Sequence, residues 1–206
     1  MKKHIIFFIV FTFIINIKSQ EIGLSPTKVW TDNSEIQNPF GFSIYYFQPI
    51  WKLGLKIEFL TATNERNYYG YLSSGFNANP EEIIIDDIKS KSRIQSFEFS
   101  LSIPKIIYVE KNYFTLSLGM TRDNFSGERL GLNSENRIAL VKEGKFGLFY
   151  GISISREKIF QLPIKIELLF KHKGLIGEMY VADTIHPFRG EMDIKELQLY
   201  ISYVFN

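Results

Sequence analysis

The sequence predicts an all-β chain that closes into an antiparallel, up-and-down transmembrane β-barrel of about eight strands. Three observations carry that expectation. Apolar and polar residues alternate with a period of two through most of the chain after residue 40, the repeat of a strand whose two faces meet different surroundings. No segment beyond residue 20 is long and apolar enough for a membrane helix, and none holds a 3.6-residue period. The connections between alternating segments are short and long in turn, as in barrels whose turns are tight on one side of a membrane and loops long on the other.

The first segment is expected to be absent from the working protein. Lys2, Lys3 and His4 form a basic start, residues 5–17 are apolar, and Lys18, Ser19 and Gln20 are polar. This is the layout of a secretory signal peptide, and an apolar run of that length falls short of the roughly 20 residues a spanning helix needs. We place the cut between Ser19 and Gln20, giving a leader over 1–19 and a single barrel domain over 20–206. An uncleaved N-terminal anchor is the alternative. Cleavage takes three of the 24 basic residues and none of the 22 acidic ones, leaving a net charge of about −1. A nucleic-acid surface has no support in that balance. With no cysteine in the chain, disulfides, thiolate metal sites and a cysteine nucleophile are excluded.

The strands follow in order. Glu21–Trp30 is the first, weakened by Pro26, where a bulge or a shortened strand is expected. Gly41–Ile50 has a mixed aromatic pattern that leaves its facing open. In Lys52–Thr63, Leu53, Leu55, Ile57 and Phe59 oppose Lys52, Gly54, Lys56 and Glu58. In Arg93–Ile103, Phe97, Phe99, Leu101 and Ile103 oppose Ser96, Glu98, Ser100 and Ser102. Tyr113–Met120 sets Phe114, Leu116, Leu118 and Met120 against Thr115, Ser117 and Gly119. Lys145–Ser155 sets Phe146, Leu148, Tyr150, Ile152 and Ile154 against Gly147, Gly151, Ser153 and Ser155. Leu162–His172 opposes Ile164, Ile166, Leu168 and Phe170 to Lys165, Glu167 and Lys171. The last strand, Glu196–Phe205, opposes Leu197, Leu199, Ile201, Tyr203 and Phe205 to Gln198, Tyr200 and Ser202.

Tight turns are expected at Pro49–Trp51, between Ile103 and Tyr113, and between Ser155 and Leu162; long polar loops are expected over 64–91, 123–144 and 173–195. Short turns of such barrels face the periplasm, so both chain ends lie there and the strand number is even. Asn79-Pro80-Glu81-Glu82 is a helix-start pattern and predicts a short helix over 80–90, with an irregular loop as the alternative.

Alternation alone fits an open sheet, a soluble ligand-binding barrel or a membrane barrel. In a soluble barrel the apolar face would point inward. Strands of about ten residues, apolar faces free of charge, opposite faces rich in Gly and Ser, and aromatics near strand ends favour the membrane barrel. Those aromatics are Tyr45, Tyr46, Trp51, Tyr68, Tyr69, Tyr108 and Tyr113.

On the leader, the strand pattern and the terminal segment Leu197–Phe205, the chain resembles the small eight-stranded outer-membrane barrels, the family of the OmpA transmembrane domain and OmpX. The resemblance covers nearly all of residues 20–206. It implies a bacterial outer-membrane location and contact with membrane lipids, including lipopolysaccharide. It also implies that Leu199, Ile201, Tyr203 and Phe205 form a C-terminal signal read by the outer-membrane assembly machinery. The departure is Asn206, because the family ends on the aromatic.

Lys56, Glu58, Glu98, Lys165, Glu167 and Lys171 are expected to face the lumen. Buried charges require partners, so they are read as a salt-bridge network that fills the interior; a conducting pore is the alternative. Phe170-Lys171-His172 is faintly similar to lipid A 3-O-deacylase barrels, but Gly174 stands where their serine would be, so no acyl-transfer nucleophile is present in that motif. Asp86, Asp87 and Asp123 are read as solvated loop acids without calcium-loop spacing. No cofactor is expected. The function expected is therefore a structural or surface-binding outer-membrane barrel whose ligand the sequence does not name. A lipid A-modifying enzyme and a soluble periplasmic lipocalin-like carrier are the alternatives.

Overall fold

The computed structural model describes residues 20–31, 38–72, 84–134, 137–176, 178–179, 188–189 and 192–205. The leader over 1–19, the helix-start pattern at 79–82 and Asn206 lie outside the described residues. The strands are β1 (Glu21–Thr31), β2 (Phe40–Ile50), β3 (Leu53–Leu72), β4 (Ile84–Val109), β5 (Asn112–Gly131), β6 (Arg137–Arg156), β7 (Ile164–Ile176), β8 (Glu178–Met179), β9 (Phe188–Arg189) and β10 (Met192–Val204). Among the described residues, short β8 and β9 pair only with each other. The other eight form one antiparallel ring in the order β1-β10-β7-β6-β5-β4-β3-β2. β1 pairs with both β2 and β10, so the ring closes, and the Phe205 N–H donates to the Gln20 carbonyl at 2.8 Å across the seam. Closure is what lets a sheet sit in hydrocarbon, because no backbone edge is left without a partner.

The period-two pattern places its apolar residues outside. Leu24, Phe42, Phe97, Leu118, Phe146, Leu148 and Ile201 are each about half exposed or more, although a water-soluble fold would bury residues of this kind. A soluble carrier, with its apolar face inward, is the reverse of this arrangement. β2 also takes an orientation: Phe40, Phe42 and Ile44 face outward while Gly41, Ser43 and Tyr45 face inward. The rings of Tyr45 and Phe47 lie over inward-facing Gly23 and Gly54, where any side chain would strike them.

Three expectations are corrected. Segments 64–91 and 123–144 are mostly strand rather than loop: β3 and β5 run 20 residues each and β4 runs 26. The helix over 80–90 is not formed at residues 84–90, which belong to β4 and pair with 66–72 of β3; Ile84, Ile85 and Ile88 are β-branched and suit a ladder better than a helix. Pro26 produces neither a bulge nor a short strand. β1 keeps its register to both neighbours, and only the ladder toward β10 skips Ser25 and Pro26. The one described bulge near a proline is in β4, between Ile103 and Ile107.

The barrel has two unlike ends. At one, Trp51–Lys52 and Glu110–Lys111 are two-residue turns, with Trp51 and Glu110 at positive φ, and a single 3-10 turn at Ile159–Gln161 links β6 to β7. Both described chain ends lie there. At the other end β3, β4, β5 and β6 continue past their neighbours. Pairing with β2 stops at Thr63, and pairing of β6 with β7 begins at Phe146.

Candidate functional site

The lumen is filled in layers, each contributed by the inward parity of several strands. At the short-turn end is a vestibule of about 880 Å³, walled by Tyr45, Phe47, Tyr113, Thr115 and Ser117. Its inner limit is a charged group. The Lys165 ammonium lies 2.6 Å from Glu21 and 2.9 Å from Glu167, and the Tyr45 hydroxyl donates to Glu21 at 3.2 Å. Lys56 stands 3.3 Å from Glu58, with its ammonium 4.3 Å and 3.8 Å from the ring centres of Tyr45 and Tyr200.

The middle layer is the densest in charge. Lys171 contacts Glu58 at 2.7 Å, Glu98 at 2.5 Å and Glu196 at 3.6 Å. Lys173 contacts Glu98 and Glu196 at 2.5 Å each and Asp123 at 3.4 Å. Glu58 also accepts hydrogen bonds from Gln198 at 2.7 Å and from the Tyr200 hydroxyl. Asp123 accepts from Thr121 at 2.7 Å and from Ser96. The pairing is what makes such burial tolerable, since each ion alone would lose several kcal/mol of hydration.

Beyond the charges the same inward parity turns apolar. Val29, Leu60, Ala62, Ile94, Phe125, Leu175 and Ile194 pack as one buried cluster drawn from six strands. A layer of this kind fills the lumen with side chains, in keeping with the small interior of an eight-stranded barrel.

The structure therefore brings Lys56, Glu58, Glu98, Lys165, Glu167 and Lys171 together in the lumen, all buried. It adds Glu21, Asp123, Lys173 and Glu196 to them, so that four lysines face six carboxylates. Asp123 is not a solvated loop acid but a lumenal residue with no exposure. Asp86 is not solvated either. Its carboxylate accepts from the Ser134 hydroxyl at 2.7 Å, the Asn133 side chain at 2.7 Å, and the backbone N–H groups of Ser134 and Asn133 at 2.9 and 3.1 Å. Those donors, the Ser134 hydroxyl foremost, hold its pKa well below the usual carboxylate range despite the opposing effect of desolvation. Asp86 so fastens the connection after β5 onto β4, a clasp completed by the Leu132 N–H donating to the Asp87 carbonyl at 2.8 Å.

The interfacial aromatics divide. Trp51, Tyr69 and Tyr108 are exposed, whereas Tyr45 and Tyr113 point into the lumen, because each shares the parity of its inward neighbours. On the outer surface His172 is hydrogen-bonded through Nδ1 to the Tyr150 hydroxyl at 2.9 Å and lies 3.4 Å from Asp193. Leu199, Ile201, Tyr203 and Phe205 all face outward, the last two rings meeting edge to face at 4.9 Å.

No family model matches the sequence, and no curated protein matches it. Solved structures do. A major outer membrane protein of Thermus thermophilus aligns at TM-score 0.58 and 10% identity, over 90% of this chain and 99% of that one. The attachment invasion locus protein Ail of Yersinia pestis aligns at TM-score 0.50 and 15% identity, over 91% and 97%. The fold is that of the small outer-membrane β-barrels. Its exposed apolar belt, even strand number and unequal ends take their meaning from that fold: an outer-membrane barrel has a lipid-facing waist, a tight-turned end and an end that projects.

The projecting end of this barrel is a four-stranded sheet formed by residues 64–72, 84–93, 124–131 and 137–145. Among the described residues its backbone edges, 65–72 and 137–144, pair with one neighbour only. Tyr69 stands 75% exposed on the first, and the Arg66 guanidinium stacks over Tyr68 at 4.6 Å.

Proposed function

We propose that this protein is a non-conducting barrel of the bacterial outer membrane that holds a rigid, aromatic-edged sheet outside the cell as a contact surface for other molecules. The observation that carries the reading is the pairing of a sealed lumen with an open sheet. Charge and apolar layers fill the interior, while two strand edges that pair with one neighbour only among the described residues project from the opposite end to the chain termini. An exposed edge is a template for strand addition by an extended segment of a partner, and exposed tyrosines supply contact area at little cost in side-chain freedom. The Asp86 clasp supports the same reading, because it stiffens the tip of the sheet.

In this proposal residues 1–19 direct export and are removed before Gln20. Leu199, Ile201, Tyr203 and Phe205 present the outward face of the final strand to the assembly machinery, and the apolar belt contacts lipid, lipopolysaccharide included. The inner charges serve structure rather than transport. His172 lies on the outer surface beside Tyr150 and Asp193, and in this reading it is a residue of the strand end.

The absence of cysteine makes a direct test available. Tyr69→Cys on intact cells should react with a membrane-impermeant maleimide, and Trp51→Cys should react only after the outer membrane is opened. The opposite labelling pattern would reverse the orientation and remove the contact surface from the cell exterior.

A further inference from the structure

The vestibule at the short-turn end holds about 880 Å³, and its floor, wall and rim differ in chemistry. The floor is charged. One ammonium, that of Lys165, serves two carboxylates there, Glu21 at 2.6 Å and Glu167 at 2.9 Å. The neighbouring Lys56 is already 3.3 Å from Glu58 and lies over the Tyr45 and Tyr200 rings. The floor therefore carries one negative charge in excess, and unmatched charge is costly where water is scarce. The cluster of Leu60, Ile94 and Phe125 lies on the far side of the charges. The vestibule is thus the approach by which a compensating cation reaches the floor.

The wall mixes rings and hydroxyls. Tyr45, Phe47 and Tyr113 present rings, and the Lys165 ammonium already stands 5.5 Å from the Phe47 ring centre. Rings of this kind stabilise an ammonium group and give apolar side chains a surface. Thr115 and Ser117 add hydroxyls, which both donate and accept. The rim is basic. Lys105 is held by Glu157 at 3.3 Å, and Glu157 also accepts from the Tyr113 hydroxyl at 2.9 Å. Lys158 also lines the rim and pairs with no carboxylate among the described residues. Glu167 is the cross-strand partner of Ser155, and Glu157 and Lys158 follow Ser155 by two and three residues. At about 3.3 Å per residue, floor and rim are roughly 7–10 Å apart.

We propose that the vestibule binds a short peptide of two or three residues, which enters with its free N-terminus inward. The ammonium meets the excess carboxylate of Glu21 and Glu167 beneath the rings, and the C-terminal carboxylate meets Lys158 at the rim. Two or three extended residues span roughly 7–10 Å, the same separation as the two charged zones. An amine alone would leave Lys158 unmatched, and an acid alone would meet the surplus carboxylate at the floor. A molecule with both ends satisfies both zones. The Thr115 and Ser117 hydroxyls lie along the wall where the peptide groups between the ends need partners. The site requires only the closed barrel. Its opening toward the periplasm rests on the orientation proposed above, which the Trp51→Cys labelling tests separately.

The test titrates the whole folded barrel in maltoside micelles with trialanine and follows the backbone amide resonances of Thr115 and Ser117. N-acetyl-trialanine lacks the ammonium, trialanine amide lacks the carboxylate, and ethylammonium is a cation alone. Trialanine should shift the resonances saturably. Each capped peptide should bind about tenfold more weakly, the loss of one charge-assisted contact. Lys158→Gln should weaken trialanine about tenfold as well and leave it no better than its amide. Ser117→Trp should fill the cavity and abolish binding. Lys111→Gln, an exposed basic change at the same end outside the vestibule wall, should bind as the parent does. Heat-modifiable gel mobility reports folding, and if Ser117→Trp fails to fold, the Lys158→Gln comparison decides alone. No saturable shift, equal binding of N-acetyl-trialanine, or ethylammonium binding as tightly as trialanine would overturn the site. So would a Lys158→Gln barrel that still prefers trialanine to its amide.

Discussion

Lys173→Met is the perturbation that bears most directly on how the lumen is held. The ammonium has no exposure and three carboxylates around it, Glu98 and Glu196 at 2.5 Å and Asp123 at 3.4 Å. Methionine matches most of the side-chain volume, so packing changes little and the lost charge dominates. Three acids are then left facing one another with only Lys171 nearby, 2.5 Å from Glu98 and 3.6 Å from Glu196. Breaking a buried pair by removing one partner costs about 3–5 kcal/mol. The loss should sit in the upper part of that range, because three acids share the charge that is removed. Reversible urea unfolding in lipid vesicles, followed by tryptophan emission, gives the number. A double variant, Lys173→Met with Glu196→Gln, should recover at least about 1.5 kcal/mol, since one orphaned charge is gone. A single variant within about 1 kcal/mol of the parent, on that scale, would mean that water or protons already compensate the acids and that the ion pairs do not hold the lumen.

Four further outcomes are expected. Phe125→Ala opens the apolar layer and should destabilise by about 3–5 kcal/mol, measured by the same unfolding curve. The parent protein should give no stable single-channel steps in planar bilayers, and large steps would refute the sealed lumen. Leu199→Lys should block folding scored by heat-modifiable mobility, because a lysine on the lipid face costs about 2–4 kcal/mol near the midplane, whereas Ser202→Lys faces the lumen and should be harmful only through crowding. Asp86 has a depressed folded-state pKa, so the stability it lends the clasp is full above the ordinary carboxylate value near 3.9. That stability is lost as pH falls through the lower folded value. The amide resonances of Asn133 and Ser134 should therefore hold constant from neutral pH to about 4 and shift only below it, and Asp86→Asn should abolish the dependence.

The barrel was legible in the sequence because lipid imposes a strict alternation, and the alternation survives wherever lipid is present. It ends where lipid ends. β3 continues past Thr63, yet Glu65 and Asn67 on its outward face have no need to be apolar, so the pattern reads as loop while the ladder goes on. The same happens above Gln95 on β4 and above Arg122 on β5. Four lumenal charges were hidden for that reason or by being at a strand start. Asp123 is two residues beyond Thr121, Lys173 two beyond Lys171, Glu196 two before Gln198 and Glu21 two before Gly23. Extending the inward parity by one step finds each of them. The apolar layer is legible in the same way, since Glu58-Phe59-Leu60-Thr61-Ala62 shows an inward face changing from charge to hydrocarbon at the height where Ile94 and Phe125 do so. The vestibule floor could not be read from sequence alone, because the pairing of Glu21 with Lys165 joins residues 144 positions apart in the chain.

The seam at β1 and β10 has a consequence for the order in which the chain is built. Gln20 and Phe205 meet through one hydrogen bond, so a short linker could join them without disturbing any ladder. Cutting the joined chain between Trp51 and Lys52 would yield a circular permutant with the same eight neighbours and new ends. β2 would become the final strand, and β10 would lie in the interior of the chain. If insertion depends on the outward residues of β10 wherever they occur, the permutant should assemble as the parent does. If it depends on a free terminal strand, the permutant should fail although its finished barrel would be identical, which would divide the stability of the structure from the route by which it is reached.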